Sequence, residues 1–467
     1  MIRMSVDGRP VHGSGTYGVV NPATGQIAAE APDCSSSELD AALSAAARAF
    51  PAWERSEAQR KASLLKAAEI VEARAEELGR LVTLEQGKPL AGALREVKGA
   101  AGRFRYAAGL EVRTEVVHDQ EGLRVEVVRR PYGVVAAITP WNYPVIVAAG
   151  KLAAAVRVGN TVVLKPSPFT PLATLRMGEL LQEAFPPGVI NVISGGDELG
   201  KSLIVHPLVR KISFTGSTEA GRHILGATTA DFKRATLELG GNDAAVVLDD
   251  VDPQVIAQKV FWAAFQNAGQ VCSTIKRLYV HERIHSRLLG ELARIASTVR
   301  VGDGFDPATE MGPVSTAPQL RRIEELLSDA TRRGGRVHAG GNRLPGSGYF
   351  HAPTIVEGLS DDARLVAEEQ FGPALPVMPF ATEEEAIERA NATQFGLSGS
   401  VWSGSVARAR ALGAQLQCGT VWINQHLVVL AGAPIAGHKW SGVGVEGGLT
   451  GLLDFTQVQS VFVPAGA

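Results

Sequence analysis

Val134-Val135-Ala136-Ala137-Ile138-Thr139-Pro140-Trp141-Asn142-Tyr143-Pro144 is an apolar run that stops at a proline-flanked turn. Apolar residues bounded by turn signals fit a short strand buried on both faces. Runs of the same kind follow at 161–164, 189–193, 212–214 and 244–248, separated by helical patterns. Strands alternating with helices specify parallel α/β architecture. A second series occupies 277–280, 354–356, 376–380, 399–402 and 420–424. The expected fold is therefore α/β, with two parallel-sheet domains. The region 134–156 is the most apolar of the chain, yet it carries Pro140, Asn142, Pro144 and Lys151, which exclude a membrane span.

Upstream, two strands with a turn at 19–25 open the chain. A helix follows with Leu39, Leu43, Ala46 and Phe50 on one face. The next helix starts at Ser56, with Gln59 completing a capping box, and its stripe runs through Leu64, Ala68, Val71, Ala75 and Leu78. Gly87 and Pro89 end it, and a third helix spans about 90–108. From 122 to 130, Leu123, Val125 and Val127 alternate with charged neighbours. That pattern predicts a strand with one face free for another subunit, and Val458, Ser460 and Phe462 alternate in the same way.

Composition narrows the function. The chain's 467 residues, 45% hydrophobic and 20% charged, suffice for two or three soluble globular domains. A formal net charge of -2 gives no field for nucleic acid or an anionic membrane. Cys34, Cys272 and Cys418 cannot all pair and form no metal-ligand spacing, so a reducing cytoplasm is expected. The N-terminus lacks the apolar core of a signal peptide.

Two stretches carry chemistry. Asn267-Ala268-Gly269-Gln270-Val271-Cys272-Ser273-Thr274-Ile275-Lys276-Arg277 puts one thiol before two cations, which would favour the nucleophilic thiolate. Taken alone, Cys272 reads more readily as a small buried residue than as a nucleophile. Phe214-Thr215-Gly216-Ser217-Thr218-Glu219-Ala220-Gly221 leads from a strand into a helix. Gly216 permits close approach and the amides after Ser217 suit a phosphate, or Ser217 simply caps the helix.

In order along the chain stand Pro140-Trp141-Asn142-Tyr143-Pro144, Leu164-Lys165-Pro166-Ser167, Phe214-Thr215-Gly216-Ser217, Leu237-Glu238-Leu239-Gly240-Gly241-Asn242, Gly269-Gln270-Val271-Cys272, Glu369-Gln370-Phe371-Gly372-Pro373 and Ser441-Gly442-Val443-Gly444. Together they resemble the aldehyde dehydrogenase superfamily from about Val19 to the C-terminus. The resemblance implies a Rossmann-like cofactor domain (1–113 and 133–242), a Rossmann-like catalytic domain (243–451) and a small β oligomerisation extension (114–132 and 452–467). It implies an NAD(P)+-dependent enzyme of the hydrolytic type, assembled as a homodimer or homotetramer. By the resemblance, Cys272 is the nucleophile, the Asn142 amide and the Cys272 backbone amide hold the oxyanion, and Glu238 activates water. Lys151 and Glu446 match a proposed proton path. Lys165 and Glu369 match ribose contacts, with Phe371 beside the nicotinamide ribose. Ile138, Thr139, Pro140, Trp141, Ser167, Pro168, Gly216, Ser217, Leu239 and Gly240 complete the expected cofactor groove.

This sequence departs from the family at instructive places. Many NAD-preferring relatives carry a glutamate where Pro168 stands, so NADP is expected to be accepted, with Lys165 and Ser167 as phosphate ligands. Gly150 occupies a position where many relatives have tryptophan and semialdehyde-oxidising ones arginine. With Tyr143, Val147, Val271, Ser273, Val429 and Ile435, and with His426 reaching in, it predicts a roomy apolar tunnel for a hydrophobic aldehyde. The alternatives are a semialdehyde dehydrogenase with a carboxylate anchor elsewhere, or a retired relative kept for binding. Pro434-Ile435-Ala436-Gly437 and Val445 also depart from the usual loop.

Overall fold

In the computed structural model, which describes residues 2–464, the opening run forms the strand Val134–Ile138. Its residues 134–137 are fully covered, so it lies inside a sheet, between parallel neighbours Thr161–Lys165 and Val209–Thr215. Ile190–Val192 and Arg234–Glu238 extend the parallel set outward. Antiparallel strands close both edges: Met4–Val6 with its partner Arg9–Val11, and Gly442–Val443. The second sheet runs Arg336–Ala339, Thr354–Glu357, Ala374–Phe380, Arg277–His281, Ala244–Val247, Ser398–Trp402 and Thr420–Ile423, antiparallel only at the first pair.

The period-two rule shows in Ala244–Val247. Ala244 and Val246 pack with Leu320 and Ile323, whereas Ala245 and Val247 pack with Val260, Phe261 and Leu288 on the other face. The chain returns to the first sheet late, through Gly442–Val443, and Leu452 and Phe455 sit in the first core. A third, three-stranded sheet pairs Thr456–Pro464 with Leu123–Pro131 and that strand with Glu115–Gln120. It exposes Val116, Val117, Val458 and Phe462. Met1 and 465–467, the ends assigned to the cofactor domain and the extension, lie outside the described residues. No helix of the described residues is long and apolar enough to cross a membrane.

Local expectations needed correction. Four strands, not two, open the chain: Met4–Val6, Arg9–Val11, Gly15–Asn21 and Gln26–Asp33. The capping box sits at Ser35 and Glu38, not at Ser56 and Gln59. Ser56 is at once the end of the helix Ser36–Arg55 and the start of Glu57–Ala73, and its amide is bonded to the Trp53 carbonyl. Buried Arg60 donates to the carbonyls of Trp53, Glu54 and Arg157, a cation holding free carbonyls at two helix ends. The stripe expected to run on through Leu78 is broken at Arg74, between Glu57–Ala73 and Ala75–Gln86. No glycine or proline marks that break. Strands Glu115–Gln120 and Arg234–Glu238 were not anticipated.

Two buried glutamates position the helices around the site. Tyr143 and Pro171, which precede the helices Pro144–Arg157 and Leu172–Leu181, provide no side-chain cap. Glu96 instead receives the amides of Val145 (2.9 Å) and Ile146 (3.3 Å), and Glu85 those of Leu172 (2.6 Å) and Ala173 (2.9 Å). Each carboxylate thus satisfies donors at the positive end of a helix dipole. Glu96 also pairs with buried Lys88 at 2.6 Å, and Lys88 donates to the Asn142 carbonyl at 2.8 Å. Removing one partner of a buried pair strands the other charge, at a cost of about 3–5 kcal/mol. Urea denaturation of Glu96→Ala is expected to show a loss of that size, and an unchanged midpoint would rule this pair out as an anchor.

Candidate active site

The loop that leads into Cys272 is held in an unfavourable backbone conformation. Asn267 and Ala268 have φ of 54° and 55°, and Gly269 follows at 70°. Consecutive left-handed residues persist only when their surroundings fix them. Gln270, fully buried, does so from both ends of its amide: Nε2 donates to the Asn267 carbonyl (2.9 Å), and Oε1 accepts the Ser315 amide (2.8 Å). A Cβ on Gly269 would lie 2.3 Å from the Gly372 carbonyl, so only glycine fits. Asn142 Nδ2 donates to the Gln270 carbonyl at 2.9 Å. That leaves its second N–H, and the Cys272 N–H has no acceptor among the described residues.

The expected help from the two cations is not what the geometry provides. Lys276 Nζ donates to the carbonyls of Val271 (2.8 Å) and Cys272 (2.6 Å), so its main contacts are with the loop backbone. Arg277 points away, onto the carbonyls of Asn242, Arg389 and Ala390. Burial, with Glu238 next, pushes the Cys272 thiol up to about 12, although Lys276 opposes this. Glu238 ends the strand Arg234–Glu238 and is buried. Its carboxyl is pushed up to about 8 by burial and by Glu446, with Lys151 opposing. Lys151 forms an ion pair with Glu446 and donates to Ser213 Oγ at 3.0 Å. The two residues with the least independent support in the sequence are thus in direct contact.

One cavity of about 1650 Å³ is lined by Cys272, Glu238, Asn142, Lys151 and Glu446, and by every expected cofactor residue. It opens at the carboxyl ends of the first sheet's strands, where open α/β sheets bind ligands. Trp141 and Phe371 meet edge to face with centroids 5.3 Å apart. Glu369 accepts the Gly241 amide at 3.1 Å and lies 3.6 Å from Lys276 Nζ. A Cβ on Gly240 would come 2.3 Å from the Glu369 carboxylate. Burial pulls Lys165 down to about 8 despite Asp197 and Asp33 nearby. Ser167 Oγ accepts the Phe169 amide, while Ser217 Oγ caps its helix through the Ala220 amide at 3.2 Å. Capping is therefore what the Ser217 side chain does, whatever the helix amides bind. The buried hydroxyls of Thr139, Thr215 and Thr218 line the cavity with no hydrogen-bond partner among the described residues. Such orphaned groups fit a polar ligand like a dinucleotide. Thr215 and Thr218 flank Gly216 and Ser217 in the strand-to-helix turn, where the sequence pattern marks a threonine only as a turn residue.

Tyr143, Val147, Gly150, Val271, Ser273, Val429 and Ile435 also line this cavity. The space beside Gly150 is open, with nothing within 4 Å of where a Cβ would be. The Tyr143 hydroxyl accepts from Gln266 at 2.9 Å, and its ring lies 3.6 Å from Lys88 Nζ. His426 is the correction: it is not among the lining residues, and it is buried behind the wall. Its Nδ1 meets Ser400 Oγ at 2.9 Å, its Nε2 meets the Ser273 carbonyl at 2.8 Å, and Trp422 packs against the ring. Since a carbonyl only accepts, Nε2 carries the proton. Burial pulls the imidazole down to about 3, so it stays neutral.

The raised thiol and Glu238 set the pH behaviour of the cofactor-free protein. Only the thiolate reacts with iodoacetamide. With the thiol near 12, alkylation of Cys272 is expected to rise about tenfold per pH unit up to about pH 10. A plateau below about pH 8 would show that the thiolate is already stabilised without cofactor.

Comparison with known proteins fits this geometry. The model of the aldehyde dehydrogenase family matches residues 11–461. Betaine aldehyde dehydrogenase from Cereibacter sphaeroides is 38% identical, covering 99% of this chain and 97% of its own. The NAD+ complex of aldehyde dehydrogenase from Bacillus cereus superimposes with a TM-score of 0.97 at 35% identity, covering 99% of this chain and 96% of that one. An NADP-dependent enzyme from E. coli gives a TM-score of 0.96 at 36% identity, covering 99% and 98%. With this match over nearly its whole length, the chain belongs to the aldehyde dehydrogenase family.

Proposed function

We propose that this enzyme oxidises a hydrophobic aldehyde, aromatic or of medium chain length, to the carboxylic acid, with NAD(P)+ as hydride acceptor. The observation that carries the reading is the convergence of Cys272, Asn142 and Glu238 on one cavity that is continuous with the dinucleotide groove. Cys272 Sγ gives its proton to solvent and, as the thiolate, bonds to the carbonyl carbon. The negative charge that builds on oxygen is met by the free Asn142 N–H and the Cys272 N–H, donors worth a few kcal/mol each. When bound, NAD(P)+ accepts the hydride from that carbon, leaving a thioester on Cys272. Glu238 then takes a proton from water, the water oxygen bonds to the thioester carbon, and the C–S bond breaks to release the acid. Lys151 and Glu446, paired beside Glu238, pass the proton onward.

Both cofactors fit this groove. Pro168 offers no acceptor for ribose hydroxyls and no charge against a 2′-phosphate, and Lys165 supplies a cation. Asp197 faces the same groove in the first turn of Asp197–Val205, which supports dual use rather than strict NADP selection. The ratio of kcat/KM for NAD over NADP is expected to stay below about a hundred, and a larger ratio would exclude NADP acceptance. Val147, Gly150, Val429 and Ile435 offer a quaternary ammonium no aromatic ring, and the Tyr143 ring already faces the Lys88 ammonium at 3.6 Å. That favours benzaldehyde over the betaine aldehyde named for relatives. The outer sheet of Glu115–Gln120, Leu123–Pro131 and Thr456–Pro464, with exposed Val458 and Phe462, supports a homodimer or a tetramer of dimers.

Glu238→Gln separates the two half-reactions. Losing a general base lowers its step by about 10²–10⁴. The variant is expected to release one equivalent of reduced nicotinamide per site in a burst and then turn over slowly, while Cys272→Ala gives no burst. Steady turnover at the wild-type rate by Glu238→Gln would overturn the assignment of the base.

A further inference from the structure

Arg103 has no place in the chemistry above, yet it lines the same cavity. It lies on the helix Leu90–Gly109, which runs beside Pro144–Arg157 in the same direction. The register is fixed at both ends. A Cβ on Gly99 would sit 2.7 Å from Ile146 Cδ1, and Arg157 donates to the Leu110 carbonyl across a spacing of 47 residues. The same spacing places Arg103 beside Gly150, the tunnel position whose side chain is missing. Within the described residues Arg103 makes no hydrogen bond and no ion pair. Its charged neighbour Glu446 is already paired with Lys151. One helical turn on, Tyr106 lines the cavity too, packs against Gly432 and has no hydrogen-bond partner for its hydroxyl among the described residues.

A partly buried guanidinium without an acceptor is costly, and its five donors suit a carboxylate. Val147, Val429 and Ile435 add aliphatic surface to the same cavity. We propose that Arg103 and Tyr106 form a docking point for a carboxylate at the end of the substrate remote from its aldehyde. The preferred substrate is then an apolar aldehyde that ends in an acid group. This rests on reading the cavity as an aldehyde tunnel, and it names which aldehydes the tunnel selects. Arginine returns here from a neighbouring helix, in the space that Gly150 leaves open.

The test compares matched pairs with the intact enzyme and saturating NAD(P)+: 4-formylbenzoate against 4-methylbenzaldehyde, and succinic semialdehyde against butanal. The wild type is expected to favour the acid-bearing member of at least one pair by about tenfold or more in kcat/KM. Arg103→Gln should lower that ratio at least tenfold, the scale of one charge-assisted hydrogen bond. Tyr106→Phe should lower it by about threefold. A wild-type ratio at or below one in both pairs, or a ratio unchanged in Arg103→Gln, overturns the docking point while leaving aldehyde oxidation intact. If Arg103→Gln does not fold, the wild-type ratios decide alone. If no aldehyde is oxidised, the docking point falls together with the reading of the site.

Discussion

The site depends first on a buried ion pair that never touches substrate. Glu96 holds the amides at the start of Pro144–Arg157, and Lys88 joins Glu96 to the Asn142 carbonyl. Helices without caps of their own are thereby fixed against the strand ends, and the Asn142 amide faces the nucleophile loop. The arrangement is expensive to bury and therefore exacting: remove one member and the others lose their partners. Glu85 does the same for Leu172–Leu181, with burial pushing its carboxyl up to about 8. In the proposed mechanism, preorganisation of the oxyanion donors begins in this helical layer, some distance from the thiol.

A second constraint concerns charge. Glu238, Asp243 and Glu369 surround a thiol that a cation was expected to activate, and Lys276 spends its donors largely on backbone carbonyls. Burial and these carboxyls together favour the protonated thiol. Binding of a positively charged nicotinamide ring would shift that balance, as nearby charge does for any thiol.

How much of this was legible in the sequence varied with the kind of signal. Buried strands such as Val134–Ile138 announce themselves because apolar β-branched runs have few other uses. The catalytic set was legible only through the order of its motifs, since Cys272 by itself looks like any small core residue. What escaped notice depends on contacts between distant segments. The break at Arg74 has no glycine or proline to mark it. The Ser56–Gln59 pattern matched a capping box, but the preceding helix had already claimed the Ser56 amide. His426 sits in a loop expected at the tunnel mouth, and only its bonds to Ser400 and the Ser273 carbonyl reveal that it faces inward. Arg103 carries no signal in the sequence beyond a charge on a helix; only the register against Pro144–Arg157 sets it opposite an absent side chain.

The proposed base and nucleophile belong to different sheets. Glu238 closes a strand of the first sheet, where Gly442 pairs with it, whereas Cys272 leads into Arg277–His281 of the second. The strand Gly442–Val443 therefore ties the late chain to the edge of the first sheet. Warming or crowding that lets the two halves slide by a fraction of an ångström would part base from thioester while both cores stayed folded. Loss of turnover would then come before loss of structure, and the durability of the catalyst would be set by the seam between the halves, not by either core.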